Sequence, residues 1–290
     1  MELKKVNKTE ILDLAIKILS QELKDDLAGG SLKNDVTSNS LIENKASVHA
    51  VISNREEIVM CGEFFIKKFI SKKFPQLKYI SKFRDGQKIK KNSKLISIKG
   101  NLKIILAIER TVLNFMQHLS GISTFTNELK EQLEDSNTEL LDTRKTLMGL
   151  RKIQKYATAI GGAKNHRMGL FDKILVKDNH IKSLGGIFNT LKKLREINCR
   201  DYMIECDSYY QVKKCIENNS CYILLDNMKP REILKCIKLK RKLSKKVLFE
   251  ITGGINNKNF KKYSKLGADF ISIGKITNCP KSVDIGLDII

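Results

Sequence analysis

CYILLDNMKPREILKCIKLKRKLSKKVLFEITGGI, residues 221 to 255, carries the pattern that decides the fold. An apolar run, CYILLD (221–226), ends in Asp226 with Asn227 after it; a charged stretch of helical character follows; a second run, VLFEIT (247–252), then ends in Thr252, Gly253 and Gly254. Short continuous apolar runs, rather than alternating ones, mark strands covered on both faces, as in a parallel sheet flanked by helices. Outward from this stretch the same unit recurs, in TELLD (138–142), KILVK (173–177), YMIEC (202–206) and ADFISIG (268–274). The spacing, roughly 20 to 35 residues, fits strands alternating with helices. We therefore expect an α/β chain with an incomplete or irregular β/α barrel. In such a barrel all strand C-termini open on one mouth, so residues scattered along the sequence converge there.

Upstream the pattern changes. Residues 8–27 read as an amphipathic helix behind an Asn7 or Thr9 cap. Strand-like 46–53, 57–61 and 93–98 surround a helix-like 62–73, and 104–134 reads as helical. The expectation is an N-terminal α+β sandwich domain over residues 1–116, joined by the segment 278–290, with the barrel over 117–277.

The bulk numbers bound what the chain does. It has 290 residues, 41% hydrophobic and 30% charged, enough to bury a large core. No apolar run reaches membrane-span length and the start lacks an apolar signal core, so the expected location is the cytoplasm, with no membrane partner. Seven cysteines show no CxxC pair or Cys/His ligand spacing, which suits a reducing compartment. The net charge of +22 comes from 44 Lys and ten Arg. Lys is spread over nearly every element, and the chain has no Trp and no aromatic-rich basic strand, so no nucleic-acid partner is expected. Arg and His are concentrated instead. Arg110, Arg144, Arg151 and Arg167 fall within 110–167, and three of the four His lie between 118 and 180.

Arg144 and Lys145 at one strand end, His166 and Arg167 after a Gly161-Gly162 loop, and Lys177 at the next strand end supply several cations to one cavity, which calls for an anion with more than one acid group. Salt bridges to Asp142, Asp172 or Asp178 are the structural alternative for any one of them. Glu205 and Asp226, on neighbouring strands, face that wall. They either hold a divalent metal with substrate oxygens and water or neutralise the cations. Thr252-Gly253-Gly254 forms a strand-to-helix turn whose amides suit a phosphate, with Ile273-Gly274 opposite, the usual phosphate position in such barrels.

These residues lie in longer motifs: ERTVLNFMQHLSGIST (109–124), DTRKTLMGLRKIQKYA (142–157), GGAKNHRMGLFDKILVKDNHI (161–181), LLDNM (224–228) and TGGI (252–255). They closely resemble quinolinate phosphoribosyltransferase, the carboxylating nicotinate-nucleotide pyrophosphorylase family, and DVTSNSLI (35–42) and VDIGLDI (283–289) extend the likeness over nearly the whole chain. The resemblance implies decarboxylating transfer of a ribosyl phosphate from phosphoribosyl pyrophosphate to quinolinate in NAD biosynthesis. It also implies a homodimer or higher oligomer with shared active sites, in which Arg110 serves the neighbour's site. Thr143, Arg144, Arg167 and Lys177, with His166 beside them, would hold quinolinate, and Lys145 would lie between it and the ribosyl phosphates. Glu205 and Asp226 would organise ribose hydroxyls and Mg2+-pyrophosphate; Thr252, Gly253, Gly254, Ile273, Gly274 and Lys275 would take the 5-phosphate. Lys145, Glu205 and Asp226 are the implied catalytic residues.

The sequence departs from the family pattern at Leu147-Met148 (for Thr-Pro), Ala163 (for Gly), Met203 (for Glu), Lys275 (for Ala) and Asn278-Cys279 (for His-Ser). Three rivals remain. A paralogous pyrophosphorylase-like protein of the same fold would act on another substrate, although the intact KDNH at 177–180 speaks against it. An aldolase-type barrel would use Lys145 or Lys177 as a Schiff-base amine. A basic RNA-binding protein would bind with steep salt dependence.

Overall fold

The computed structural model describes residues 7–133, 137–243 and 246–290. The described residues divide into two compact units: 7–127 with Met148–Gly162 and Cys279–Ile290, and Glu128–Leu147 with Ala163–Asn278.

The first unit begins with α1 (Leu12–Asp26), which buries Ala15, Leu19 and Leu23 at helical spacing. Its N-cap is Ile11, with no side-chain cap, not Asn7 or Thr9. Asn7 Oδ1 instead accepts from the Thr9 amide at 3.0 Å and its hydroxyl at 2.7 Å, closing a local turn ahead of the helix. A 3₁₀ turn (Leu32–Asn34) and α2 (Val36–Leu41) lead into β1 (Ser47–Asn54) and β2 (Ile58–Val59). Then come α3 (Glu63–Lys73), β3 (Lys78–Ser81), β4 (Lys88–Ile89), β5 (Lys94–Asn101) and the long α4 (Leu102–Glu131). A boundary at 116 falls inside α4, and residues 117–127 group with this unit.

Its main sheet runs β12-β1-β5-β3, where β12 (Ile285–Ile289) pairs antiparallel with β1 from Asn54↔Ile285 to Ala50↔Ile289. The stretch entering β12 lies against α4: the Val283 amide donates to the Gln117 carbonyl at 3.2 Å, and a Cβ on Gly121 would collide with the Lys281 carbonyl. Ile52, Phe69, Ile96, Met116 and Ile285 belong to one apolar core. Inside this unit, α5 (Arg151–Ile160) places Tyr156 edge-on to Phe65, ring centroids 5.1 Å apart, with its hydroxyl donating to Asp85 at 2.7 Å.

The second unit holds a six-stranded parallel sheet, ordered β6-β11-β10-β9-β8-β7. Its strands are β6 (Glu139–Leu141), β7 (Ile174–Val176), β8 (Tyr202–Cys206), β9 (Tyr222–Asp226), β10 (Leu248–Thr252) and β11 (Phe270–Ser272). Each lies inside a segment expected from the sequence. The seam between β6 and β7 has no strand pairing, which makes the barrel incomplete. Helices α6 (Asp178–Ser183), α7 (Ile187–Glu196), α8 (Tyr209–Glu217), α9 (Pro230–Lys242), α10 (Phe260–Ser264) and α11 (Lys275–Asn278) follow the strands. α10 begins only at Phe260, because Asn256 and Asn259 tie the preceding turn through their side chains: the Asn256 amide donates to Asn259 Oδ1 at 2.8 Å. No helix among the described residues is long and apolar enough to cross a membrane.

Candidate active site

The C-terminal ends of these parallel strands surround a cavity of about 620 Å³, lined entirely by the second unit. Thr143, Arg144 and Lys145 follow β6. The Lys145 amide donates to Thr143 Oγ1 at 3.0 Å, and its carbonyl accepts from Thr277 Oγ1 at 2.7 Å, so the backbone of an otherwise exposed lysine is fixed at both ends. His166 and Arg167 are 7% and 6% exposed. Asp142, fully buried, orients them by accepting from the His166 amide at 2.8 Å and from Asn165 Nδ2 at 2.7 Å.

Arg167 Nη1 donates to the Lys173 carbonyl at 2.8 Å, while its Nε and that of Arg144 are buried without a hydrogen-bond partner among the described residues. Buried donors left unmade are costly, and two of them lie in the arginines of this one wall. The electrostatics agree. Burial, and after it the like charge of Arg144, lower the Arg167 pKa, against the opposing pull of Glu205 and Asp172. The wall is short of negative charge.

Lys177 caps α6 at the end of β7, and the KDNH motif explains its place: the Lys177 amide donates to His180 Nδ1 at 2.9 Å. Lys177 Nζ is 3.5 Å from Glu205 Oε1 at the end of β8. Burial raises the Glu205 pKa; Lys177 opposes this, and Asp226, across at the end of β9, raises it further. Asp178, Asn179, Asp207 and Gln211 join Glu205 and Asp226 around an adjoining acidic recess. Among the described residues no three acid, His or Cys side chains come together closely enough to hold a metal by themselves. The donor set therefore fits a hard cation shared with ligand oxygens and water rather than a protein-only cage.

The turn after β10 closes the other side. Gly253 and Gly254 take left-handed φ values of +80° and +63°, as does Asn227 at +53°. A Cβ at Gly253 would lie 2.5 Å from both Asp226 Oδ1 and Asn227 Oδ1. Glycine is thus required for the turn to lie against the end of β9, where its amides face the cavity opposite Gly274 and Lys275.

The structure brings together Thr143, Arg144, Lys145, His166, Arg167, Lys177, Glu205, Asp226, Thr252, Gly253, Gly254, Gly274 and Lys275 around one space. Ile273 is buried instead and contributes its backbone, its amide donating to the Leu141 carbonyl. Arg110 is exposed on α4 and is not among the lining residues. Asp178, read from the sequence only as a partner for the cations, also lines the cavity, and the sequence reading missed Glu250, Asn256 and Ser272, which line it too. Glu250 carried a usable signal, an acid flanked by apolar residues in VLFEIT.

Two family models match, described as the quinolinate phosphoribosyl transferase N-terminal domain, over 35–120, and C-terminal domain, over 122–288. The chain is 36% identical over 286 residues to a probable nicotinate-nucleotide pyrophosphorylase [carboxylating] of Methanocaldococcus jannaschii, covering 96% of this chain and 98% of the relative. It is similar in structure to the nicotinate-nucleotide pyrophosphorylase of Francisella tularensis, with a TM-score of 0.90, 33% identity and full coverage of both chains. The corresponding structure from Ehrlichia chaffeensis gives a TM-score of 0.86 at 37% identity, covering 99% of this chain and 100% of the other. With the barrel, its cationic mouth and its glycine turn in place, the chain belongs to the quinolinate phosphoribosyl transferase family.

Proposed function

We propose that this chain transfers ribosyl phosphate from phosphoribosyl pyrophosphate to quinolinate with loss of carbon dioxide, giving nicotinate mononucleotide and pyrophosphate. The observation that carries this reading is that Arg144, Lys145, Arg167 and Lys177 line the same cavity as the Thr252–Gly254 turn. Arg144, Arg167 and Lys177 hold the two carboxylates of quinolinate, the planar guanidinia gripping them in bidentate fashion. The amides of the 252–254 turn and Gly274, with Thr252 and Lys275, take the 5-phosphate. Lys145, between these regions, neutralises charge on both substrates.

Glu205 and Asp226 orient the ribose hydroxyls and are the residues that would hold Mg2+ together with pyrophosphate oxygens and water. Bound there, the ion would offset charge on the departing pyrophosphate. The protein's part is preorganised charge: cations fixed before the reaction offset negative charge on the substrates and on the departing pyrophosphate, and the acids Glu205 and Asp226 offset the positive charge that develops on the ribosyl carbon, without reorganisation. The ribosylated ring nitrogen is cationic and accepts the electron pair released when the adjacent carboxylate leaves, while the basic wall retains the second carboxylate.

The active form is a homodimer in which Arg110 of one copy completes the other copy's site. Leu170 and Phe171, 74% and 87% exposed before β7, support it by offering apolar surface for a second copy to cover. Incubation with quinolinate, phosphoribosyl pyrophosphate and magnesium should yield carbon dioxide and nicotinate mononucleotide. Turnover of nicotinate and not quinolinate would overturn the substrate assignment, and trapping by borohydride with a carbonyl substrate would favour the Schiff-base alternative.

A further inference from the structure

Glu250 is out of place for a mid-strand residue: it is 1% exposed on β10, between Phe249 and Ile251, and a buried charge is costly unless it is held by donors. Its donors are specific. Tyr222, on the neighbouring strand β9, gives its hydroxyl to Glu250 Oε2 at 2.8 Å, and His166 Nε2 approaches the same oxygen at 3.4 Å, a long hydrogen-bond contact. Burial pushes the Glu250 carboxyl up, but the side-chain hydrogen bonds that reach it, from His166 and Tyr222 among them, hold the group below the usual glutamate value, so it stays an acceptor.

The other ring nitrogen decides the meaning. His166 Nδ1 accepts from the Arg167 backbone amide at 2.8 Å and therefore presents a lone pair there. The proton of the neutral ring then sits on Nε2, pointing at Glu250. Both ring nitrogens are engaged within the protein, and the His166 amide is bound to Asp142.

We infer that Glu250 is a positioning residue: from the interior of the barrel it fixes His166 as the Nε2–H tautomer, and through that ring it seats the backbone of Arg167 in the cavity wall. His166 thus contributes to anion binding through the residue after it. The inference rests on the reading of Arg167 as a quinolinate-holding cation and says which buried group sets its position. The carboxylate accepts from Tyr222 and His166 on one oxygen, Oε2, while Ser272 gives its hydroxyl to Thr252. In Glu250→Gln that oxygen becomes either a neutral carbonyl, a weaker acceptor for both, or an NH2 that meets two donors.

The test has two arms on the full-length protein. Nitrogen-15 NMR of histidine-labelled wild type at neutral pH should show one histidine, absent in a His166→Asn variant, with Nε2 protonated and Nδ1 bare; an Nδ1–H tautomer would overturn the inference whether or not the protein turns over quinolinate. In steady-state kinetics, Glu250→Gln should raise the quinolinate KM about 10-fold or more, as loss of an orienting partner does, with the phosphoribosyl pyrophosphate KM changed less than about 3-fold. Tyr222→Phe, which removes one donor from Glu250 without touching His166, should leave the quinolinate KM nearly unchanged. A folded Glu250→Gln enzyme with an unaltered quinolinate KM, or one in which both KM values rise together as the melting temperature drops, would reduce Glu250 to a packing role. Absence of quinolinate turnover in wild type would count against the proposed reaction instead, and the tautomer measurement would still decide the role of Glu250.

Discussion

Lys145 combines an exposed side chain with a backbone held by Thr143 and Thr277, so it contributes charge to the cavity and little to the core. Lys145→Ala should lower kcat/KM by at least about 100-fold, the scale of losing one preorganised electrostatic group, with the melting curve unchanged. A variant that unfolds would mark the lysine as structural. Glu205 yields a pH prediction. Its pKa lies above the ordinary glutamate value, from burial first and Asp226 as well, so the ionised form needed to organise ribose and metal is lost earlier on acidification than for an ordinary glutamate. A raised folded-state pKa means that the folded protein binds the extra proton, so Glu205 adds stability as pH falls through that window. The acid limb of kcat/KM for phosphoribosyl pyrophosphate should therefore be reversible, and Asp226→Asn should move it to lower pH. A limb that coincides with unfolding, or does not move, would contradict this. The cations and acids of the mouth were legible as residues because each stands at the end of an apolar run. Glu250 and Ser272 were not, since they sit inside such runs and their partners come from other strands.

Among elements, the turn after β10 is the most constrained part of the site. Gly253→Ala would place a methyl 2.5 Å from two side-chain oxygens at a φ of +80°, adding about 1–2 kcal/mol of left-handed strain to the clash. The turn must move away from Asp226, and the KM for phosphoribosyl pyrophosphate should rise about 10-fold or more while quinolinate binding, measured by calorimetry, changes little. Equal losses for both ligands would mean that the whole mouth had shifted. The six barrel strands could be read from sequence because strands covered on both faces are uniformly apolar. β3 and β4 could not: Lys78–Ser81 is half-exposed at a sheet edge, and Lys88–Ile89 is two residues long. β12 was recognised only as part of the family likeness, since IGLDI has no strong pattern of its own and owes its strand to β1, more than 230 positions earlier in the chain. Long-range pairing of that kind leaves no local trace.

For the whole molecule, shared sites make a prediction that single variants cannot test. An Arg110→Ala chain and a Lys177→Ala chain, each nearly inactive alone, should regain about a quarter of wild-type activity when mixed in equal amounts and reassembled, because about half of the dimers are then heterodimers and one of the two sites in each carries neither change. Heterodimers confirmed by mass but inactive would rule out the exchange of Arg110. The +22 charge does not conflict with a small-molecule enzyme: it favours capture of polyanionic substrates, whose kcat/KM should fall as salt is added.

The pairing of β12 with β1 also bears on how the protein is made. The sheet that starts at Ser47 is finished only by residues 285–289, and the barrel is encoded in between. On the ribosome the barrel segments therefore emerge while one edge of β1 is still bare, and the first unit closes after the second has been synthesised. During that interval β1 is the exposed edge of the nascent chain, open to pairing with a neighbouring polypeptide, and the arrival of a single short strand ends the exposure.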